Sequence, residues 1–323
     1  MDKRVQIAVF LIACTLITTE LGGVQQTGVV CAEEAGEFSS VESLPLQSWL
    51  GERFVFLDRR SSDLSPNCRN SCIREFERHP SRYAGRIALV TRVQPKGEER
   101  WEIQFEFEDN GERLASRNAS RFIVGIALLS DIEHARQRWF GDTVWLKQRY
   151  LNTYDAATDT TNRILVGKYT PVEIEDVTTG WYNLVPVRFV LRAEDGRMGF
   201  LDLNVSGTNT MWPGDSRFDD HFIECNPQRQ RDWPGEVWDA IGLGEIFIGM
   251  TVEQVDESWG RPKGTNVTIT EQTRRDQWIY DGLVTPTREG KGLLLRTGEG
   301  TELLSTRVYL YFDNGTLSTI QRR

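Results

Sequence analysis

Apolar and polar positions change period several times along the chain. Over 101–108 (WEIQFEFE), Trp101, Ile103, Phe105 and Phe107 alternate with charged or polar residues, the period of two that gives a strand one buried and one wet face. Asp109-Asn110-Gly111 closes that run with a turn signal. With the apolar run 54–57 and the strand 86–93 (RIALVTRV), this predicts a small, twisted antiparallel sheet or SH3-like barrel over 47–128. The period then lengthens. Ile132, Ala135 and Trp139 share one face at helical spacing over 130–139, with Ser130 as N-cap and Glu133 at the capping-box position. Strands at 143–146, 171–174, 186–191 and 198–205, the last two joined by a turn at Glu194-Asp195-Gly196, complete a helix plus second β module over 129–206. The order of apolar run, long loop, strand and Asp-Gly hairpin echoes the first block, so two tandem SH3-like antiparallel modules are expected. Residues 207–235 carry Gly, Pro, Asp and Asn at loop density and predict a linker or lid.

The last segment specifies a helix at both ends. In 248–262 (IGMTVEQVDESWGRP), Thr251 N-caps and Gln254 completes a capping box. Met250 and Val255 stand at hydrophobic-staple spacing, Gly260 suits a left-handed C-terminal position, and Pro262 forbids continuation. Strands are expected at 277–280, at 307–312 (RVYLYF) and after the turn Asp313-Asn314-Gly315 at 316–320, with 284–301 a Gly-rich hairpin or loop. In the long strand Val308, Leu310 and Phe312 share one face, which the helix must cover. Arg307, Tyr309 and Tyr311 share the other, which is left for solvent or a partner.

Gly249-Met250-Thr251, Gln254-Val255, Gly260, Pro262, then Trp278 and Tyr280, then Phe312 and Gly315 resemble, in that order, the SmpA/OmlA (BamE) outer-membrane assembly lipoproteins. The resemblance covers the C-terminal part, 236–323. It implies an α+β fold of two helices and three strands, akin to β-lactamase-inhibitory modules. It also implies an anchored, periplasm-facing role, with β-barrel assembly components among the partners. Family members are typically one short domain, whereas about 200 residues precede the motif here.

The N-terminus predicts export. Lys3-Arg4 precede an apolar run over 5–17, which is the length of a signal-peptide core and too short to span a bilayer. Residues 1–32 are read as signal peptide and short anchor region, and the acidic 33–46 as a tether. Two processing sites compete. One is Val30-Cys31-Ala32; the other is the lipobox-like Leu11-Ile12-Ala13-Cys14, where an acylated Cys14 would give membrane contact. Cleavage after Ala32 leaves Cys68, Cys72 and Cys225; lipidation at Cys14 adds Cys31. A disulfide between Cys68 and Cys72, or one using Cys225, is expected in an oxidising envelope.

Composition then narrows the function. A formal net charge of −9 without a basic tract argues against nucleic acid as a partner. The 3 histidines lie in no hydrolase or metalloprotease motif, and there is no P-loop, so no catalytic residue, metal or cofactor is assigned. Cys68 and Cys72 with His79 resemble a copper-type C-x-x-x-C plus His arrangement, whose soft thiolates and imidazole would suit Cu(I), and Asp219-Asp220-His221 could ligate a metal. The sequence thus reads as a non-enzymatic envelope interaction protein with Arg307, Tyr309 and Tyr311 as partner-binding candidates. The rivals are an envelope hydrolase with its site in 207–235 and a cell-wall or inhibitor-type binding module.

Overall fold

A computed structural model describes residues 43–58, 72–120, 122–182, 185–210, 216–270, 273–281, 293–297, 300–304 and 307–322. The leader, both processing sites and Cys14, Cys31 and Cys68 lie outside the described residues. The architecture is mainly β, built from several antiparallel sheets with short helices.

The first sheet contains β1 (Arg53–Phe56), β2 (Ile87–Gly97), β3 (Arg100–Phe107), β4 (Arg113–Ala119) and β5 (Ile126–Leu128), in the order β4-β3-β2-β1-β5. The alternation in β3 does what its period requires: Ile103, Phe105 and Phe107 are buried in one core with Trp49, Phe54 and Phe56. Two short helices, α1 (Arg74–Arg78) and α2 (Pro80–Tyr83), add Phe76 and Tyr83 to that core. The run Phe54-Val55-Phe56-Leu57 does not alternate because both its faces are buried. Phe54 and Phe56 enter this core, while Val55 and Leu57 enter a second one.

That second core joins the two halves expected as separate modules. It holds Val55, Leu57 and Ala127 of the first block together with Ile132, Ala135, Trp139, Phe189 and Leu201 of the second. The helix α3 (Leu129–Trp139) lies in it. Ser130 is not its N-cap. The helix begins at Leu129 with Leu128 as cap and no side-chain cap bond, because β5 runs directly into it and already positions the first turn.

The second sheet has the order β12-β6-β9-β10-β11-β7-β8. Its strands are β6 (Thr143–Leu146), β7 (Tyr150–Asp155), β8 (Thr160–Leu165), β9 (Pro171–Tyr182), β10 (Val185–Ala193), β11 (Met198–Leu203) and β12 (Phe222–Ile223). The hairpin of β7 and β8 escaped the sequence reading, since Thr160 through Arg163 are all exposed and leave no alternation to see.

The segment expected to link begins instead as a buried strap. Asn204, Ser206, Thr208, Asn209 and Thr210 are all buried. Asn209 accepts from Ile123 N at 2.6 Å and donates to the carbonyls of Ile123 and Ile126 at 2.9 and 2.6 Å. Ser43 Oγ donates to Gly207 O and Leu44 N to Thr208 Oγ1. Thr208 and Asn209 fall in the segment expected as linker or lid; here they satisfy backbone groups of Leu44, Ile123 and Ile126, as buried backbone requires. Beyond the strap, α4 (Phe218–His221) stacks Phe218 on Trp139 at 4.1 Å.

The C-terminal unit opens with α5 (Gly235–Leu243), β13 (Glu245–Ile246) and α6 (Val252–Trp259). It continues with β14 (Gly264–Ile269), β15 (Arg274–Tyr280), β16 (Leu293–Thr297), β17 (Gly300–Leu304), β18 (Val308–Asp313) and β19 (Thr316–Arg322). Its main sheet runs β14-β15-β18-β19, all antiparallel; β13, β16 and β17 form a small second sheet. The capping box of α6 is present: Gln254 N donates to Thr251 Oγ1, and Thr251 N donates to Gln254 Oε1 at 2.8 Å. Met250 and Val255 are both fully buried. Thr251→Ala is expected to cost about 1 kcal/mol. Gly260→Val is expected to cost more, because Gly260 holds φ 78°. Thermal melts of the two variants check both values, and unchanged melting of both contradicts them.

One junction bolts this unit to the second sheet. Glu257 of α6 accepts from Lys168 Nζ at 2.6 Å, from Arg231 at 2.7 Å and from the Tyr169 hydroxyl. Burial alone would raise its pKa, but the hydrogen bonds from Lys168 and Tyr169, the Lys168 charge and Arg231 outweigh it and hold the carboxyl down at about 2. A carboxyl lowered from 4.5 in the unfolded chain contributes its stability above that pH and loses it as pH falls toward 2. Glu257→Gln is therefore expected to lose about 2–3 kcal/mol at neutral pH. The difference from the parent should shrink below about pH 4, read from urea titrations at both values.

Candidate functional site

The motif residues of the C-terminal unit converge on one seam. Gly249, at φ 102°, donates its N–H to Leu317 O; Leu317 N donates to Met250 O; Val252 N donates to Gly315 O. The segment leading into α6 is thereby zipped to the β18–β19 hairpin, whose Asn314-Gly315 turn has both residues at positive φ. The Tyr280 hydroxyl donates to Gly260 O at 2.7 Å, and the Trp278 ring lies 5.1 Å from Phe312. These spacings hold a helix end against a sheet.

The same seam fixes which face of the sheet is covered. Val308, Leu310 and Phe312 are fully buried with Val237, Ile241 and Val255 of the two helices. Strand alternation then turns Tyr309 and Tyr311 to the open face, as expected. Registers set Gln277 and Ile279 of β15 beside Tyr311 and Tyr309, and Thr319 and Gln321 of β19 on the far side.

A hydrogen-bond chain crosses this face, one side chain from each strand. Asn266 Nδ2 donates to Gln277 Oε1 at 2.7 Å, Gln277 Nε2 to the Tyr311 hydroxyl at 2.8 Å, and that hydroxyl to Gln321 Oε1 at 2.9 Å. The sequence reading found Tyr309 and Tyr311 from the period of two. It missed Asn266, Gln277 and Gln321, because cross-strand register is not visible within any one strand. Charge is confined to the ends of the face. Arg275 pairs with Asp313 at 2.8 Å, and Arg307 with Asp281 at 2.6 Å. Arg307 is thus not a free cation: its hydrogen bond with Asp281, and then that with Tyr309, raise its pKa. The centre is uncharged and rich in donors and acceptors, with two half-buried tyrosine rings. Such a surface fits a partner by hydrogen bonding and aromatic contact.

The weaker chemical candidates resolve differently. Cys72 and Cys225 are each disulfide-bonded. Cys72 therefore offers no thiolate, and the Cys68, Cys72 and His79 spacing does not assemble a copper site at that residue. In 207–235, the Asp220 carboxylate accepts from Arg217 N and His221 Nδ1 lies 3.2 Å from Gln148 Oε1, so these two side chains turn to different partners, while Asp219 receives Lys147 Nζ on its backbone carbonyl. Among the described residues no group of three or more His, Cys, Asp or Glu is placed to hold a metal, and no helix is long and apolar enough to cross a membrane. No protein-family model, curated protein or solved structure matches the chain.

Proposed function

We propose that this chain is a non-enzymatic interaction protein of the cell envelope, engaging its partner through the open face of the C-terminal sheet. The observation that carries the reading is the uncovered four-strand ladder Asn266–Gln277–Tyr311–Gln321, backed by two helices that fix its opposite face. The resemblance to SmpA/OmlA lipoproteins supports it. Two helices precede the antiparallel strands in that order, and β14 and the β16–β17 hairpin are additions to the implied pattern. On this reading residues 1–32 export the chain, an acylated Cys14 or cleavage after Ala32 leaves it periplasm-facing, and partners include β-barrel assembly components. The two N-terminal sheets, read as SH3-like modules sharing a core, present the C-terminal unit at a distance from its anchor.

The test is capture from solubilised envelopes with the full chain as bait. Tyr309→Ser with Tyr311→Ser is expected to abolish capture while the melting curve stays within a few degrees of the parent. Capture retained by the doubly substituted chain would contradict the assignment of this face.

A further inference from the structure

β14 is the outer strand of the C-terminal sheet, and its free edge is built unlike the other described edges. An edge strand exposes a row of unpaired N–H and C=O groups, and soluble proteins blunt it with charge, proline, bulges or brevity. β4 carries Arg113 and Arg117, β8 Arg163, β19 Arg322 and β17 Glu302 in sequence, and β13 is only 2 residues long. β5 and β12 are only 3 and 2 residues long. β14 is 6 residues, Gly-Thr-Asn-Val-Thr-Ile, without charge or proline and with an unbroken register against β15. Each of the usual devices is missing from it.

The phase of its backbone is fixed. Thr270 N donates to Thr273 O, and Asn314 N to Arg274 O. Counting along the antiparallel ladder, Gly264, Asn266 and Thr268 turn their backbone groups to β15, and Thr265, Val267 and Ile269 turn theirs to the open edge. The side chains of those three lie on the helix side of the sheet, paired with Trp278, Asp276 and Arg274, but beyond the helices' cover. Val267 is 51% and Ile269 72% exposed. Exposed β-branched apolar residues beside unpaired backbone mark a surface with a missing neighbour.

We propose that this neighbour is β14 of a second copy, paired antiparallel about a two-fold axis through Val267. In that register Val267 exchanges both backbone bonds with Val267 of the other copy, and Thr265 exchanges with Ile269 in both directions. The apolar side chains cover each other, and Asn266 stands opposite Thr268 on the open face. No charged residue of the strand opposes a like charge, which for a chain of net charge −9 is the condition a self-pairing edge must meet. A one-residue slip would put the backbone groups out of phase, and a two-residue slip in either direction would lose the exchange between Thr265 and Ile269. The joined sheet makes the two open faces continuous, so one dimer presents the Asn266–Gln277–Tyr311–Gln321 ladder twice. Only this consequence rests on the binding role proposed above; the pairing rests on the edge itself.

Sedimentation of the full chain, in the form the cell accumulates, tests the pairing without any partner. The parent is expected to sediment as a reversible dimer. Val267→Lys and Val267→Glu should each be monomers with parental circular dichroism and melting, since the position is exposed. Mixing the two variants in equal amounts should re-form the dimer, because opposed charges then face each other across the axis. A parent monomeric throughout its soluble range, a dimer surviving both substitutions, or a mixture that stays monomeric overturns the proposal. A monomeric parent that nonetheless binds an extended peptide at this edge overturns it too, and assigns the edge to another occupant. Capture by the Tyr309 and Tyr311 variants is read separately, so either proposal can fail alone.

Discussion

Arg149→Leu is expected to lower the unfolding free energy by about 4 kcal/mol, the largest loss from any single exposed or buried polar residue named here. Arg149 is only 4% exposed. Its guanidinium donates to Ser258 O at 2.6 Å and to Ile241 O at 3.1 Å, the last turns of α6 and α5. Both carbonyls belong to helix C-termini, where intrahelical partners run out and partial negative charge collects. One cation reaching from the second sheet therefore satisfies two helix ends of the C-terminal unit. Leucine fills some of the volume and leaves both carbonyls buried without that donor. Gly244 is the companion position. It holds φ 77°, and a Cβ there would approach Arg149 Nε to 2.7 Å, so Gly244→Ala should destabilise through the same guanidinium. Urea denaturation measures both, and a loss below about 1 kcal/mol for Arg149→Leu would show that this contact does not hold the units together.

Asp131→Asn is expected to act in the opposite direction, raising stability at pH 7.5 by about 3 kcal/mol. Asp131 is 1% exposed on the first turn of α3 and faces the buried strap. Burial pushes its carboxyl up to about 6; the hydroxyl and N–H of Ser206 and the charge of His134 offset this only in part. Oδ1 has no hydrogen-bond partner. The sign follows from linkage. A carboxyl raised from 3.8 in the unfolded chain to about 6 in the fold costs no stability below the unfolded value, costs progressively more between the two, and costs its full amount above the folded one. Asparagine keeps an acceptor for Ser206 and carries no charge to desolvate. Its advantage should be full above about pH 6 and vanish below about pH 4. Equal stabilities at pH 7.5 would contradict the buried-charge account.

What the sequence disclosed, and what it hid, divides along a physical line. Local signals were legible. The capping box at Thr251 and Gln254, the turn at Asp313-Asn314-Gly315, and the alternation of Val308, Leu310 and Phe312 all depend on residues within one turn or one strand; Gly260 does end the helix at positive φ, but its ψ of -175° is not the left-handed conformation expected. The helix α5 was overlooked, although Val237, Ala240 and Ile241 recur at helical spacing before Gly244. Long-range choices were hidden. Asn209 looks like a loop residue in any window, and only its bonds to Ile123 and Ile126, more than eighty positions away, show why it is buried. Ser130 looked like a cap because the strand feeding α3 could not be seen. The site split in the same way. Tyr309 and Tyr311 followed from period, whereas Asn266, Gln277 and Gln321 needed the register of four strands.

The central claim is that the open face of the C-terminal sheet is where a partner sits. Hydrogen–deuterium exchange on the complex captured from envelopes tests it most directly, with the free chain as reference. The account predicts slowed exchange in 274–280, 308–313 and 316–322, with 87–97 and 100–107 of the first sheet unchanged. Slowing confined to the first or second sheet, with these three strands exchanging as in the free chain, would contradict it.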